Sequence, residues 1–317
     1  MAIAFHPKKI FPEKILRELS QQWDQLDLEQ ASSGGVLRAC AMTLMVTASD
    51  DHDAEQVRRT LGVLMHDHPS RAIILTTTPG ADFEARVFAE CWKPFGSNQQ
   101  ICSEGIEILS DSIHLDEAAQ LLIPLKVPDL PAVLWCRGVS PFYLRTFDTL
   151  FPLADKLIFD SSAVSGAAAA LSFLRSLRSR GFRVSDLHWT RLTGWREILA
   201  HLFDDEALRA GDVVSARIVY GGPTPSTCAL YFSSWIEQAL PRARVSMVSE
   251  GDVPGLRGVS LNSTTCELSL RKDGSCIEVN GCGRHYRSSL PPTDEESVMR
   301  EELKFLGADP VYERVLA

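Results

Sequence analysis

Nowhere in the 317 residues is there a run of about 18 uncharged apolar residues, so a membrane-spanning helix has no support. The first 30 residues interleave Lys8, Lys9, Glu13, Lys14, Arg17, Glu18, Asp24, Asp27 and Glu29. They lack the apolar core of a secretory leader, and the expected compartment is cytoplasmic. Long basic runs are absent too: 32 Lys plus Arg stand against 41 Asp plus Glu, a net charge of −9. That balance argues against duplex nucleic acid and for a protein or small-molecule partner. There is no Cys-x-x-Cys, which removes the usual dithiol signature. Without Gly-x-x-x-x-Gly-Lys-Ser/Thr there is no phosphate loop of the usual kind, and no Gly-x-Gly-x-x-Gly follows a strand. Gly281-Cys282-Gly283 is too short for that fingerprint and reads as a bend between strands. Gly-x-Ser-x-Gly is missing, so a hydrolase nucleophile elbow is not expected. No cofactor is expected. No repeat and no low-complexity segment is visible.

What is present is apolar mass, 45% of the residues, enough for two domains. Ile15, Leu19, Trp23 and Leu26 predict an amphipathic helix from Pro12 to Leu28, which packs on the chain's own core or serves as a docking face. Ser32-Ser33-Gly34-Gly35 reads as a break, so residues 1–35 form an N-terminal helix and linker. Residues 36–163 alternate strands (36–47, 72–77, 83–92, 101–109, 132–136, 156–160) with helices. One helix carries Val57, Leu61, Leu64 and Met65 on one face, with Asp53 as the expected N-cap. Others are expected at 115–125 and 141–151. This alternation predicts an α/β domain with a mixed or mainly parallel sheet. An Ala-rich helix at 164–180 marks the junction, or belongs wholly to either side. Residues 164–317 read as a second α/β domain. Its helices lie near 189–202 and 226–240 and its strands at 213–220 and 245–248. Asp273-Gly274 suits a type I′ hairpin between 268–270 and 276–279. Thr293 and Glu296 suit the capping box of a late helix, and Asp309-Pro310 starts a last one.

The eight cysteines are Cys40, Cys91, Cys102, Cys136, Cys228, Cys266, Cys276 and Cys282. Their apolar surroundings favour reduced thiols packed as small hydrophobes over a disulfide framework. Cys266, Cys276, Cys282 and His285 cluster, but only Cys282 and His285 have zinc-like spacing, so no metal is expected. His66 and His68 across a helix end read as solvated or capping residues.

Three polar clusters carry whatever site chemistry there is. His68-Pro69-Ser70-Arg71 offers a hydroxyl and a guanidinium to a phosphate or carboxylate, or satisfies its own backbone. Asp129 to Gly138 places Trp135 in a strand and Arg137 at its end, where α/β sheets bind ligands, or forms a packed strand with an ion pair. Asp186 to Glu197 holds Trp189, Arg191, Trp195 and Arg196, types enriched at interface hot spots; the periodicity favours a core role for the tryptophans.

The same blocks carry a likeness. His68 to Arg71 before an apolar strand, and Asp129-Leu-Pro-Ala-Val-Leu-Trp-Cys-Arg-Gly138, resemble the corresponding segments of the OpcA family. So do Asp160-Ser161-Ser162 after Leu157-Ile158-Phe159, the run from Asp186 to Arg196, and the tail from Glu302 through Gly307 to Asp309 and Tyr312. The order is kept over residues 36 to 316; Cys136 departs from the family, which is bulkier there. The resemblance implies an accessory protein of glucose-6-phosphate dehydrogenase that promotes its active oligomer at the entry of the oxidative pentose phosphate pathway. It implies no catalysis and supplies no catalytic residues. A second reading is a sugar-phosphate-binding enzyme or sensor, with His68, Ser70, Arg71 and Arg137 converging at the C-terminal edge of the sheet. A third is thiol-based redox control.

Overall fold

The structure, a computed structural model, describes residues 11–30, 35–96, 99–113, 115–204 and 208–317. Of the expected Ser32–Gly35 break, only Gly35 lies within them. The chain forms two compact units. The first holds Met1–Asp160, Arg180–Val184 and Met299–Gly307; the second holds Ser161–Ser179, Ser185–Val298 and Ala308–Ala317.

The first unit begins with helix α1 (Pro12–Gln30) and strands β1 (Val36–Arg38) and β2 (Met42–Ala48). The single strand expected over 36–47 is thus two, interrupted at 39–41. Next come α2 (Asp51–Asp67), β3 (Ser70–Thr77), β4 (Glu84–Trp92), β5 (Gln100–Ser110), α3 (Leu115–Leu125), β6 (Ala132–Cys136), α4 (Ser140–Tyr143) and β7 (Lys156–Phe159). The helix expected over 141–151 is only α4 followed by short 3₁₀ turns.

The sheet runs β1-β5-β3-β2-β6-β7-β8, where β8 is Val184–Asp186, and β4 lies antiparallel on β5. The pairings β1–β5, β5–β3, β3–β2, β2–β6 and β6–β7 are all parallel. Every residue of β2 and β3 is buried, as in a sheet covered on both faces. Ile15 and Leu19 of α1 are buried, Trp23 and Leu26 are half-buried, and that helix packs on β4, so the stripe offered as a docking face turns towards the core of its own unit. The α2 cap is Asp50, not Asp53: its carboxylate accepts from the Asp53 N–H at 2.8 Å, while the Asp53 carboxylate reaches back to the Ser49 N–H at 2.9 Å. Two acids therefore share the reciprocal work of a capping box.

Helix α5 (Ala167–Ser179) falls wholly in the second unit. There follow α6 (Leu187–Thr190), α7 (Thr193–His201), β9 (Val213–Gly221), α8 (Thr227–Ala239), β10 (Arg244–Ser249), β11 (Gly255–Ser263), β12 (Glu267–Asp273), β13 (Cys276–Gly281) and β14 (Arg284–Ser289). Helices α9 (Glu295–Leu303) and α10 (Pro310–Leu316) end the chain. The second sheet runs β10-β9-β11-β12-β13-β14; β10 is parallel to β9 and the other pairs are antiparallel. Its buried face carries Ile218, Val259, Leu261, Leu268, Leu270, Ile277 and Val279, and α8 packs on β9, β10 and β11.

Turn chemistry differs from expectation by one residue. Asp273 pairs with Cys276, so the loop is Gly274-Ser275, with positive φ (59°) at Gly274 and not at Ser275. That is the II′ pattern, not I′. The bend at Cys282-Gly283 has φ of 50° and 75°, as type I′ requires. The α9 cap is Asp294, which accepts from the Ser297 N–H at 2.9 Å, in place of Thr293. Asp309 caps α10 through the Val311 and Tyr312 N–H groups.

Cys91 and Cys102, directly opposite on β4 and β5, are joined by a disulfide, and so are Cys266 and Cys282. Four cysteines, Cys40, Cys136, Cys228 and Cys276, are free, so the all-thiol reading is corrected for half of the set. The two halves of each pair are distant in sequence, and strand pairing is what brings them together.

Candidate functional site

The first predicted cluster is a structural ion-pair network. Arg71 opens β3 and is buried; its Nε bonds Glu104, and its Nη1 donates to the Leu125 carbonyl at 2.8 Å. Glu104 is buried in β5 and also accepts from the Trp23 indole at 2.8 Å and from Arg38 at 2.8 Å. Burial by itself raises the Glu104 carboxyl, but the Trp23 N–H and Arg71 outweigh it and hold the group below its ordinary range. His68 bonds the Arg300 carbonyl at 3.0 Å, and Ser70 is fully buried.

The second cluster is spread over both ends of that sheet, with Arg137 at the end opposite Arg71. Trp135 is buried in β6. Arg137 follows it: its N–H donates to Thr47 Oγ1 at 2.9 Å, and its guanidinium pairs with Asp53 and reaches Gln56 Oε1 at 3.2 Å. Asp129 sits in the loop before β6 with φ 63°, and Asp160 directly follows β7. Arg71 aligns with Thr43, which aligns with Ala132 at the start of β6, so Arg71 and Arg137 stand at opposite ends of parallel strands. The expected convergence of His68, Ser70, Arg71 and Arg137 on one phosphate does not occur.

The third cluster splits into core and cleft. Trp189 donates to Asp309 Oδ2 at 2.8 Å, lies under the Arg196 guanidinium at 3.8 Å, and is buried. Trp195 is buried against Phe232. Asp186 is fully buried and joins this core: it accepts from the backbone N–H groups of Ser161 and His188 at 3.0 Å each and from the Tyr231 hydroxyl at 2.9 Å. Burial and the Asp186 charge push the Tyr231 phenol well above its ordinary range, so it stays a donor.

Beside this network, wholly within the second unit, lies a cleft of about 610 Å3. Of the predicted residues only Arg191 and Trp195 line it. Arg191 donates to the Thr293 carbonyl at 3.3 Å. One wall carries Ser161 and His188, whose Oγ and Nδ1 are 3.1 Å apart. The start of α8 forms another: Ser226 caps the helix by accepting from the Ala229 N–H at 3.4 Å. Arg257 and Lys272 complete the lining, which contains no aspartate or glutamate. Burial pushes the Cys228 thiol in this wall up to about 12, although Arg191 and Lys272 both pull it down, so it is a poor nucleophile. Among the described residues no cluster of metal-ligating side chains occurs.

The family model described as "Glucose-6-phosphate dehydrogenase subunit N-terminal domain" matches residues 62–176, and its "C-terminal domain" counterpart matches residues 182–316. The chain belongs to the OpcA family. It is 28% identical over 305 residues to the "Putative OxPP cycle protein OpcA" of Synechococcus elongatus, across 80% of this chain and 68% of that protein. It is 26% identical over 227 residues to the protein of the same name from Synechocystis, across 70% of this chain and 47% of the relative. The match thus spans about half of that cyanobacterial OpcA. Among solved structures, a 3-ketoreductase from Actinomadura kijaniata aligns over 87% of this chain and 93% of its own at 8% identity and TM-score 0.49. A likeness that distant carries nothing about activity.

Against the OpcA-family blocks read from sequence, the cleft adds Ser226, Thr227, Arg257 and Lys272, while His188 falls within the Asp186–Arg196 block. Lys272 and Arg257 were missed because each sits in a short alternating strand, where a lone cation reads as a solvated face. The available signal was Gly221-Gly222-Pro223 to Ser226, a glycine-rich loop leading into a capped helix.

Proposed function

We propose that this chain is a non-catalytic assembly and activating factor that binds glucose-6-phosphate dehydrogenase and promotes its active oligomer. The observation that carries the reading is the family match: models described as the N- and C-terminal domains of a glucose-6-phosphate dehydrogenase subunit follow one another in order along the chain. The relatives' name, an OxPP cycle protein, supports the same pathway. On this reading residues 36–163 and 164–317 are the two working domains, the N-terminal 35 residues are an added helix and linker, and the setting is the cytoplasm. Among the interface candidates, Asp129 is exposed and His68, Arg137, Asp160, Arg191 and Arg196 are partly exposed, so the dehydrogenase contacts are assigned to these and not to buried Ser70, Arg71, Trp135, Trp189 or Trp195. No step of the dehydrogenase reaction is assigned to this chain. It acts by binding the active oligomer more tightly than the inactive one, and a tenfold shift needs only about 1.4 kcal/mol of that difference.

The test is the rate of the dehydrogenase from the same organism at subsaturating glucose 6-phosphate, with and without the chain. The expected result is a saturable rise in rate or a lowered substrate requirement, with co-elution on a sizing column. No change at large molar excess, together with separate elution, would overturn the reading.

A further inference from the structure

Arg257 of β11 and Lys272 of β12 stand on adjacent antiparallel strands, and both line the cleft of the second unit. The register of β11 on β9 skips Arg257: Leu256 faces Tyr220 and Gly258 faces Val219. Arg257 is therefore the extra residue of a β-bulge, a device that re-aims a side chain. On the other side Gly258 faces Arg271, so Arg257 comes alongside Lys272, the next residue of β12. Two like charges beside each other across strands repel and cost stability unless an anion lies between them. Neither has one among the described residues. Arg257 donates to the neutral Val253 carbonyl at 3.0 Å, and the Lys272 ammonium makes no hydrogen bond or ion pair with any described residue.

The surroundings are cut to fit this arrangement. A Cβ at Gly221 would lie 2.0 Å from the Val253 carbonyl oxygen, so only glycine fits against that backbone, and Arg257 Nε also lies close, at 3.0 Å. The first turn of α8, thirteen residues long, opens on the same cleft through Ser226, Thr227 and Cys228. Its first N–H groups have no intrahelical acceptor, and its dipole favours negative charge. The same lining includes an apolar wall of Trp195, Pro223, Pro254 and Pro291. A volume of about 610 Å3 suits a small metabolite, not a peptide segment or a nucleic acid.

We propose that this cleft binds a small phosphorylated metabolite, with the phosphate clasped by Arg257, Lys272 and the start of α8 and the body of the molecule against the apolar wall. A dianion offers enough oxygens for the guanidinium fork, the ammonium and the helix amides at once, which a lone neutral polar group does not. The phosphate clasp uses none of the residues assigned to the dehydrogenase contact, and it stands whether or not that interaction exists.

Calorimetric titration of the full chain with inorganic phosphate, with glucose 6-phosphate and with glucose tests it. Both phosphate compounds are expected to bind saturably at one site, and glucose not to bind. Tighter binding of the sugar phosphate than of phosphate adds the apolar wall to the site; equal binding leaves the phosphate clasp alone. The R257Q/K272Q double variant is expected to weaken both about tenfold or more, the scale of one lost charge-assisted hydrogen bond. R271Q, an exposed arginine outside the cleft lining, is expected to change neither. Circular dichroism of each variant separates lost binding from lost folding, and K272Q alone, at an exposed position, serves if the double variant is unfolded. Absence of phosphate binding at millimolar concentration, or binding that a folded R257Q/K272Q or K272Q leaves unchanged, overturns the proposal.

Discussion

Arg71 shows why a residue's chemistry is not its role. In the sequence it stands beside a histidine, a proline and a serine, a set that suits phosphate; its partner Glu104 lies 33 positions away on another strand. The carboxylate accepts from Arg71, Trp23 and Arg38 together, a buried charge satisfied on several sides. Removing only the charge, with Glu104→Gln, leaves a buried guanidinium poorly compensated and is expected to cost about 3–5 kcal/mol in denaturant unfolding. The pH dependence has a definite sign. Because the folded carboxyl is held below its ordinary value of 4.5, its stabilisation is fully present above that value and fades as pH falls through the folded value. The gap between wild type and Glu104→Gln should therefore be constant from neutral pH down to about 5 and narrow only below it. A gap that is flat to the acid limit, or that opens on acidification, contradicts the assignment. The tryptophans at 189 and 195 were legible for the opposite reason: their helical spacing with Leu192 and Leu199 already placed them in the core, and there they lie.

At the scale of elements, propensity and periodicity located most strands and helices, while their ends depended on contacts the sequence does not display. Asp50, Asp53, Thr293 and Asp294 are all acceptable caps by type; which one acts is decided by where the chain enters the helix. The bulge at Arg257 has no sequence signature of its own, because it arises from the unequal registers of β11 with its two neighbours. The disulfides are the same lesson in covalent form. Cys266 and Cys282 stand 16 residues apart, at either end of the β12–β13 hairpin. Closing a loop of that size stabilises by about 3 kcal/mol through the unfolded chain. Paired replacement, Cys266→Ser with Cys282→Ser, is expected to lower the unfolding midpoint of the second unit. A thiol reductant should do the same to the wild type through this bond and leave the doubly substituted chain's second unit unaffected. Equal midpoints with and without reductant in the wild type would remove the bond from the stability of this unit.

For the whole molecule, the alternation of strand and helix followed by antiparallel hairpins was enough to name the α/β class, since parallel neighbours require a crossover between them and hairpins do not. The family blocks were legible for a different reason: they are short runs tied to particular sheet ends and buried networks, such as Asp186 with Tyr231 and Tyr312. Which of two functions those blocks serve is a matter of linkage. If the chain favours the active dehydrogenase, its effect on substrate affinity and the substrate's effect on its own binding are one coupling free energy seen from two sides. The proposed function therefore predicts that saturating glucose 6-phosphate tightens the complex between chain and dehydrogenase by the same factor by which the chain lowers the substrate dissociation constant, within about twofold. Fluorescence titration of the labelled chain into the dehydrogenase, with and without glucose 6-phosphate, measures one factor, and equilibrium substrate binding measures the other. Running both with R257Q/K272Q keeps the two sites apart: equal factors that survive the substitution place the coupling in the dehydrogenase. Factors that still match but shrink together place part of it in the cleft. Factors that disagree in the wild type leave no single linked equilibrium, and the activating role as proposed falls.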